Sequence, residues 1–137
     1  MIRMLTVVAV AALWSCAVSS DRPAVLSGGD DARITLAPGE TTRAAGGRLH
    51  VVFEDVVSDS RCPTGEQCIV AGFAEIAVRI GTDTPGDSYR LYTEGKEPRA
   101  VVHAGQVVTL VDLAPYPKGS RAIAKAEYRA TFEVRPE

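Results

Sequence analysis

The sequence predicts a small all-β domain: a single antiparallel β-sandwich or open barrel of seven or eight strands, with one disulfide. Three observations predict this fold. Apolar and polar residues alternate in several short segments, Gly and Pro fall between those segments, and no amphipathic helical pattern follows the first residues. Short strands separated by turn residues at this spacing are typical of sandwiches and barrels. A chain of this length can bury one self-sufficient core, and nothing in it indicates a second domain.

The predicted strands follow one another along the chain. Clear alternation predicts strands over 49–53, 72–80 and 126–134. Weaker patterns predict strands over 33–36, 41–45, 88–93 and 99–103. The stretch over 107–113 is apolar except for Thr109 and Asp112, which predicts a central strand covered on both faces. The predicted core includes six large side chains: Phe53, Ile76, Val78, Leu110, Tyr128 and Phe132.

The first residues have the pattern of an export signal. Arg3 precedes an uncharged apolar run over 5–13, and a small residue precedes Cys16. The run is shorter than the roughly 20 apolar residues that a membrane-spanning helix needs. Residues 17–31 are rich in Ser, Gly and Asp, a composition that suits a flexible tether. We therefore divide the chain into a signal peptide over 1–15, a tether over 16–32 and a β domain over 33–137.

The segment Leu13-Trp14-Ser15-Cys16 resembles the lipobox of bacterial lipoproteins. The resemblance implies that Cys16 becomes the first mature residue, carries acyl chains such as palmitate and anchors the protein to a membrane. Ala17 after the cysteine is compatible with an outer-membrane lipoprotein facing the periplasm. The alternative is a secreted or periplasmic protein without a lipid anchor, cleaved after Ser19.

The cysteine count also bears on export. Three cysteines in an exported chain leave an odd thiol, and lipidation of Cys16 would leave Cys62 and Cys68 as a pair. Five residues separate these two cysteines, and we expect them to form a disulfide in an oxidising compartment. Closing so short a loop contributes roughly 2 kcal/mol to stability. A metal site would need further ligands, and His50 and His103 have no ligand-like spacing, so no metal is expected.

Two segments carry a further resemblance. One is SDSRCPTGEQCIVAGFAEI, residues 58–76, and the other is VTLVDLAPYP, residues 108–117. Both resemble segments of small bacterial secreted proteins and lipoproteins of unknown function. The resemblance spans roughly residues 34–134 and implies the fold class and the exported compartment, without an activity. Within this segment we expect Asp59 to accept backbone N–H bonds in a turn and Arg61 to pair with a carboxylate, both in structural roles.

The sequence lacks the parts of an enzyme. It contains no Gly-x-Ser-x-Gly, no His-Glu-x-x-His and no Gly-rich phosphate loop. We expect His50 to be a solvated residue on the outer side of its strand. Glu54 and Asp55 are neighbours on a predicted strand, so they point to opposite faces and cannot form a catalytic dyad. No catalytic residue and no cofactor is predicted.

The charge of the mature chain argues against a nucleic-acid partner. Without Arg3, 14 of the 15 Lys and Arg remain against 17 Asp and Glu, a formal charge of −3 with no concentrated basic patch. We expect a monomeric, non-catalytic cell-envelope module that binds a protein or an envelope component. Its predicted binding loops contain Thr64, Glu66, Gln67 and Tyr116. The alternative is an inhibitor of an extracellular or periplasmic hydrolase that presents a rigid loop.

Overall fold

The protein forms eight β-strands. The computed structural model describes residues 31–84 and 86–137. The signal peptide, Cys16 with its predicted lipidation, and most of the tether lie outside these residues. The strands are Ala32–Leu36 (β1), Thr41–Ala44 (β2), Leu49–Asp59 (β3), Ala74–Gly81 (β4), Asp87–Tyr92 (β5), Ala100–His103 (β6), Gln106–Ala114 (β7) and Arg129–Pro136 (β8).

The strands are arranged in two four-stranded sheets. One sheet has the order β1-β8-β7-β6 and the other has the order β2-β3-β4-β5, and every pairing within them is antiparallel. The second sheet contains four consecutive strands, whereas the first contains the three consecutive strands β6, β7 and β8 and gains β1 along the outer edge of β8. The predicted all-β fold is confirmed as a β-sandwich of eight strands.

The core lies between the sheets and is built from alternate residues of each strand. Phe53 of β3 and Phe132 of β8 meet there edge to face, with their ring centroids 6.4 Å apart. In β8 the inward residues Ala130, Phe132 and Val134 are buried, while the intervening residues reach the surface. All six predicted core side chains are buried. Alternation therefore identified the inner face correctly.

Strand β7 differs from its prediction. Its residues alternate between buried and half-buried up to Leu110, and Asp112 is exposed, so only one face of the strand is covered. The strand is central because β6 and β8 flank it, not because both of its faces are packed. In a two-layer antiparallel sandwich, the outer face of a central strand still meets solvent.

Two predicted strands begin later than the alternation suggests. Strand β4 begins at Ala74 rather than at residue 72, and β8 begins at Arg129 rather than at residue 126. Ahead of β8, Lys125–Glu127 form a single 3-10 turn, in which the Glu127 carboxylate accepts a hydrogen bond from the backbone N–H of Ala124 at 2.8 Å. Within the described residues, no helix is long and apolar enough to cross a membrane.

Candidate functional site

The connection between β3 and β4 contains the predicted disulfide. Cys62 and Cys68 are bonded, with their Cα atoms 5.9 Å apart. We call residues 62–70 the disulfide loop. Backbone pairing continues past the ends of the two strands, since Ser60 donates to the Phe73 carbonyl and Cys62 donates to the Ala71 carbonyl, both at 2.9 Å. The loop therefore projects from a narrow, hydrogen-bonded base.

Gly72 allows the two sides of this base to approach each other. Its φ angle is +69°, in the left-handed region that side chains disfavour. A Cβ atom at this position would lie 1.8 Å from the backbone carbonyl oxygen of Ser60. The residue must be glycine for the base to close, and the backbone turn it makes is the reason that β4 starts after it.

The two predicted binding loops lie side by side. Thr64 donates its backbone N–H to the carbonyl of Pro117 at 2.9 Å, and it forms a parallel β-bridge with Lys118. Thr64, Glu66 and Gln67 are exposed, and Tyr116 is half-exposed. The structure thus joins residues 62–68 and 115–118 into one continuous surface.

The most exposed large apolar residues of the described chain lie at the C-terminal end of the disulfide loop. The relative exposure of Ile69 is 105% and that of Val70 is 76%. The sequence interpretation missed them, since it named only Thr64, Glu66, Gln67 and Tyr116 as binding-loop residues. The signal that could have found them is the glycine at position 72, which interrupts the strand and leaves both residues on the loop.

A buried ion pair lies beneath the disulfide loop. Arg61 donates to both carboxylate oxygens of Asp59, from Nε at 2.9 Å and from Nη2 at 2.6 Å. Its remaining donors reach the backbone carbonyls of Leu113 at 2.6 Å and Pro115 at 3.0 Å. The Tyr128 hydroxyl donates to Asp59 Oδ2 at 3.0 Å. We call this set the Arg61 network.

The Arg61 network fixes the surface above it. The guanidinium lies 5.0 Å from the centre of the Tyr116 ring, a cation–π contact that orients this half-exposed tyrosine. Asp59 also accepts the backbone N–H of Arg61 at 3.1 Å, so the structural roles expected for both residues are present. The partner of Arg61 is Asp59 itself, two residues away.

Ionisation follows from this geometry. Burial alone would raise the pKa of the Asp59 carboxyl, but the hydrogen bonds and charge of Arg61, with the Tyr128 hydroxyl, hold that pKa below its usual value. Burial and then the hydrogen bond to Asp59 raise the pKa of Tyr128 to about 12. Asp59 is therefore a carboxylate and Tyr128 a neutral phenol across the ordinary pH range.

A cleft opens beside the base of the disulfide loop. It has a volume of about 380 Å³ and lies between the end of β5, the start of β6 and the edge of β7. Its lining includes both charged and aromatic side chains: Arg61, Glu94, Arg99, Asp112 and Tyr116. Clefts of this size hold small ligands or short segments of a partner chain.

The remaining candidate residues lie elsewhere. Glu54 accepts from Arg79 and Ser88, while Asp55 pairs with Lys125, so these adjacent acids serve separate contacts. The expectation of a solvated His50 is wrong. Both of its ring nitrogens are enclosed and lack a hydrogen-bond partner among the residues described, because β2 and β4 flank β3 on both sides at this position.

The described residues contain no group of three or more His, Cys, Asp and Glu side chains that could hold a metal ion. Comparison with known proteins adds no relative: no family model matches the chain, and no curated protein and no solved structure matches it either.

Proposed function

We propose that the protein is an exported, lipid-anchored and non-catalytic module of the cell envelope, which binds a partner protein through its disulfide loop. The observation that carries the proposal is the exposure of Ile69 and Val70 at the end of a stapled loop. An apolar side chain that leaves water on binding contributes roughly 1.5–3 kcal/mol. Two adjacent ones therefore supply a compact apolar contact.

The loop is held in place before any partner arrives. The disulfide closes it, backbone bonds fix its base, and Thr64 ties it to the 115–118 loop. Binding through a preorganised loop loses little conformational entropy, so more of the contact energy remains as affinity. Exposed polar residues around the apolar pair, Glu66 and Gln67 among them, form the polar rim that such interfaces usually have.

Replacing the apolar pair tests the proposal. A variant with Ile69→Ser and Val70→Ser is compared with a control carrying Val57→Ser and Val102→Ser, two valines about half exposed on strands β3 and β6. Pull-down from envelope extracts with the wild-type protein should capture a partner that the loop variant loses and the control retains. Both variants should keep the wild-type melting temperature. A partner that the loop variant still captures would refute the proposal.

The polar residues of the loop are tested separately. Replacing Thr64, Glu66 and Gln67 together by Ala should change stability only slightly, because exposed side chains usually contribute within about 0.5 kcal/mol each. If the polar rim takes part in recognition, this variant keeps its melting temperature and binds the captured partner more weakly. Unchanged binding would restrict recognition to the apolar pair.

The lipid anchor rests on the resemblance of residues 13–16 to a lipobox. Mass spectrometry of the mature N-terminus should find an acylated Cys16. A free N-terminus at Ser20 would remove the anchor from the proposal and leave export in place. The disulfide between Cys62 and Cys68 supports an oxidising compartment in either case.

A second candidate function is inhibition of an extracellular or periplasmic hydrolase. The narrow base and the exposed apolar pair favour it, because a rigid convex loop has a shape that can enter an enzyme cleft. If the captured partner is a hydrolase, the wild-type protein should inhibit it at stoichiometric ratio and the Ile69→Ser, Val70→Ser variant should not. Capture of a non-enzymatic envelope protein would favour an assembly role over inhibition.

A further inference from the structure

The cleft beside the disulfide loop follows an edge of β7 that no described strand covers. Strand β6 pairs with β7 only as far as Thr109, and the last contact is the Leu110 N–H donating to the Arg99 carbonyl at 2.8 Å. Further along, the guanidinium of Arg61 takes the place of a neighbouring strand by donating to Leu113 and Pro115. Between these two points, the edge of β7 faces the cleft.

Arg99 stands at one end of this open edge without an ion-pair partner among the described residues. The Glu97 carboxylate, its nearest acid in sequence, accepts the backbone N–H of Arg99 at 2.8 Å rather than the guanidinium. None of the ion pairs within residues 31–84 and 86–137 involves Arg99. Its Nε atom is enclosed and has no acceptor. An enclosed N–H without an acceptor costs free energy, and an acceptor that reaches it would recover that cost.

Two other cations near the cleft are already engaged. Arg61 is neutralised by Asp59, and the Lys96 ammonium lies over the rings of Phe73 and Tyr92, 4.6 and 5.2 Å from their centroids. Arg99 is therefore a cation of the cleft that has no ion-pair partner among the described residues. The site thus calls for an anion at the Arg99 end.

We propose that this cleft binds a ligand through its carboxylate, with Arg99 as the partner of the carboxylate. The acids Glu94 and Asp112 also line the cleft, so the negative charge of the ligand must be confined to the Arg99 end. Near these two acids the ligand must present hydrogen-bond donors, and the backbone amides of a peptide are such donors. The terminus of an extended peptide combines one carboxylate with such amides, and it can add to the open edge of β7 as a short strand.

This site is separate from the proposed binding of a partner by the disulfide loop. The residue that carries it is Arg99, whereas Ile69 and Val70 carry the loop contact. A variant with Ile69→Ser and Val70→Ser should therefore keep the carboxylate site, so that failure of either proposal leaves the other standing.

Titration followed by amide chemical shifts tests the cleft. The probes are the peptide acetyl-Ala-Ala-Ala with a free C-terminal carboxylate, the same peptide with an amidated C-terminus, and succinate as a free small acid. The free peptide should shift the amides of Gly95, Val111 and Asp112 saturably, and the amidated peptide should bind about tenfold more weakly or not at all. If succinate binds as well as the free peptide, the ligand is a small acid.

Arg99→Gln should weaken binding of the carboxylate probes about tenfold or more, while Arg135→Gln, at an exposed arginine on β8, should leave it unchanged. If Arg99→Gln fails to fold, Arg99→Lys keeps the charge but loses the planar fork, and it should bind more weakly than wild type. Absence of saturable shifts with every probe, or equal binding by wild type and the Arg99 variants, would overturn the proposal.

Discussion

The Arg61 network makes Asp59→Asn the most informative substitution in the fold. Asparagine keeps the shape of the side chain but removes its charge, and it presents an amide where Nη2 of Arg61 and the Tyr128 hydroxyl now donate. The side chains of Arg61 and Asp59 are 5% and 9% exposed, so water cannot compensate the guanidinium. The variant therefore leaves a buried cation without its counter-ion.

The expected cost is large. Breaking a buried ion pair by removing one partner costs about 3–5 kcal/mol. For a domain of roughly 100 residues, the entropy of unfolding near the midpoint is about 0.2 kcal/mol per kelvin. The melting temperature of Asp59→Asn should therefore fall by roughly 15–25 °C. Thermal unfolding followed by circular dichroism measures this directly.

Glu54→Gln is the matched control. The Arg79–Glu54 ion pair has almost the same distance, 2.7 Å against 2.6 Å, but its side chains are 44% and 27% exposed. Surface pairs contribute about 0–1 kcal/mol, so this variant should unfold within a few degrees of wild type. Equal, small losses in both variants would refute the reasoning that burial makes the Asp59–Arg61 pair decisive.

The same pair predicts an acid dependence of stability. The pKa of Asp59 is lower in the folded protein than its ordinary value of 3.8, so its contribution is fully present above that value. It is lost as the pH falls through the folded pKa. The stability of Asp59→Asn should lack this component, so the difference in unfolding free energy between wild type and variant should shrink below pH 3.8.

Three further predictions concern the disulfide, the loop base and Tyr128. Replacing Cys62 and Cys68 by Ala should lower the melting temperature by roughly 10 °C, since the bridge contributes about 2 kcal/mol; an unchanged midpoint in calorimetry would contradict this. Gly72→Ala should cost about 2–5 kcal/mol in denaturant titrations, against about 1–2 kcal/mol for Gly47→Ala, which has positive φ but no atom near its Cβ. Wild type should lose stability from pH 10 to about 12, where Tyr128 ionises in the unfolded chain but stays neutral in the folded protein, and Tyr128→Phe should lose less.

The fold could be predicted from the sequence because one rule determines most of it. Each strand of a two-layer sandwich buries a single face, so the period-two pattern of 74–80 and 128–134 marks the core directly. The rule failed for β7, where apolar residues also occupy the half-buried outer face. It failed again at residues 72 and 73, where alternation continues although the left-handed φ of Gly72 breaks the strand.

The candidate site could be predicted only in part, because its contacts join distant positions. The cysteine pair and the exposed polar residues Thr64, Glu66 and Gln67 are local features and were found from the sequence. The partners of Arg61 at Leu113 and Pro115 are 52 and 54 positions away, and Asp59 and Tyr128 are 69 positions apart. Local patterns carry no information on such contacts. The cleft, which exists only where β5, β6 and β7 come together, was not foreseen for the same reason.

The Arg61 network also explains why stability and binding can be studied separately in this protein. Asp59 ends β3 in one sheet, whereas Leu113 lies on β7 and Tyr128 precedes β8 in the other, so the network connects the two sheets beneath the disulfide loop. Substitutions in the network must disturb the fold and the surface together. Ile69, Val70 and Arg99 take no part in it: the first two are exposed, and the third lies across the cleft. A loss of binding in variants at these three positions, with an unchanged melting temperature, therefore reports on recognition alone.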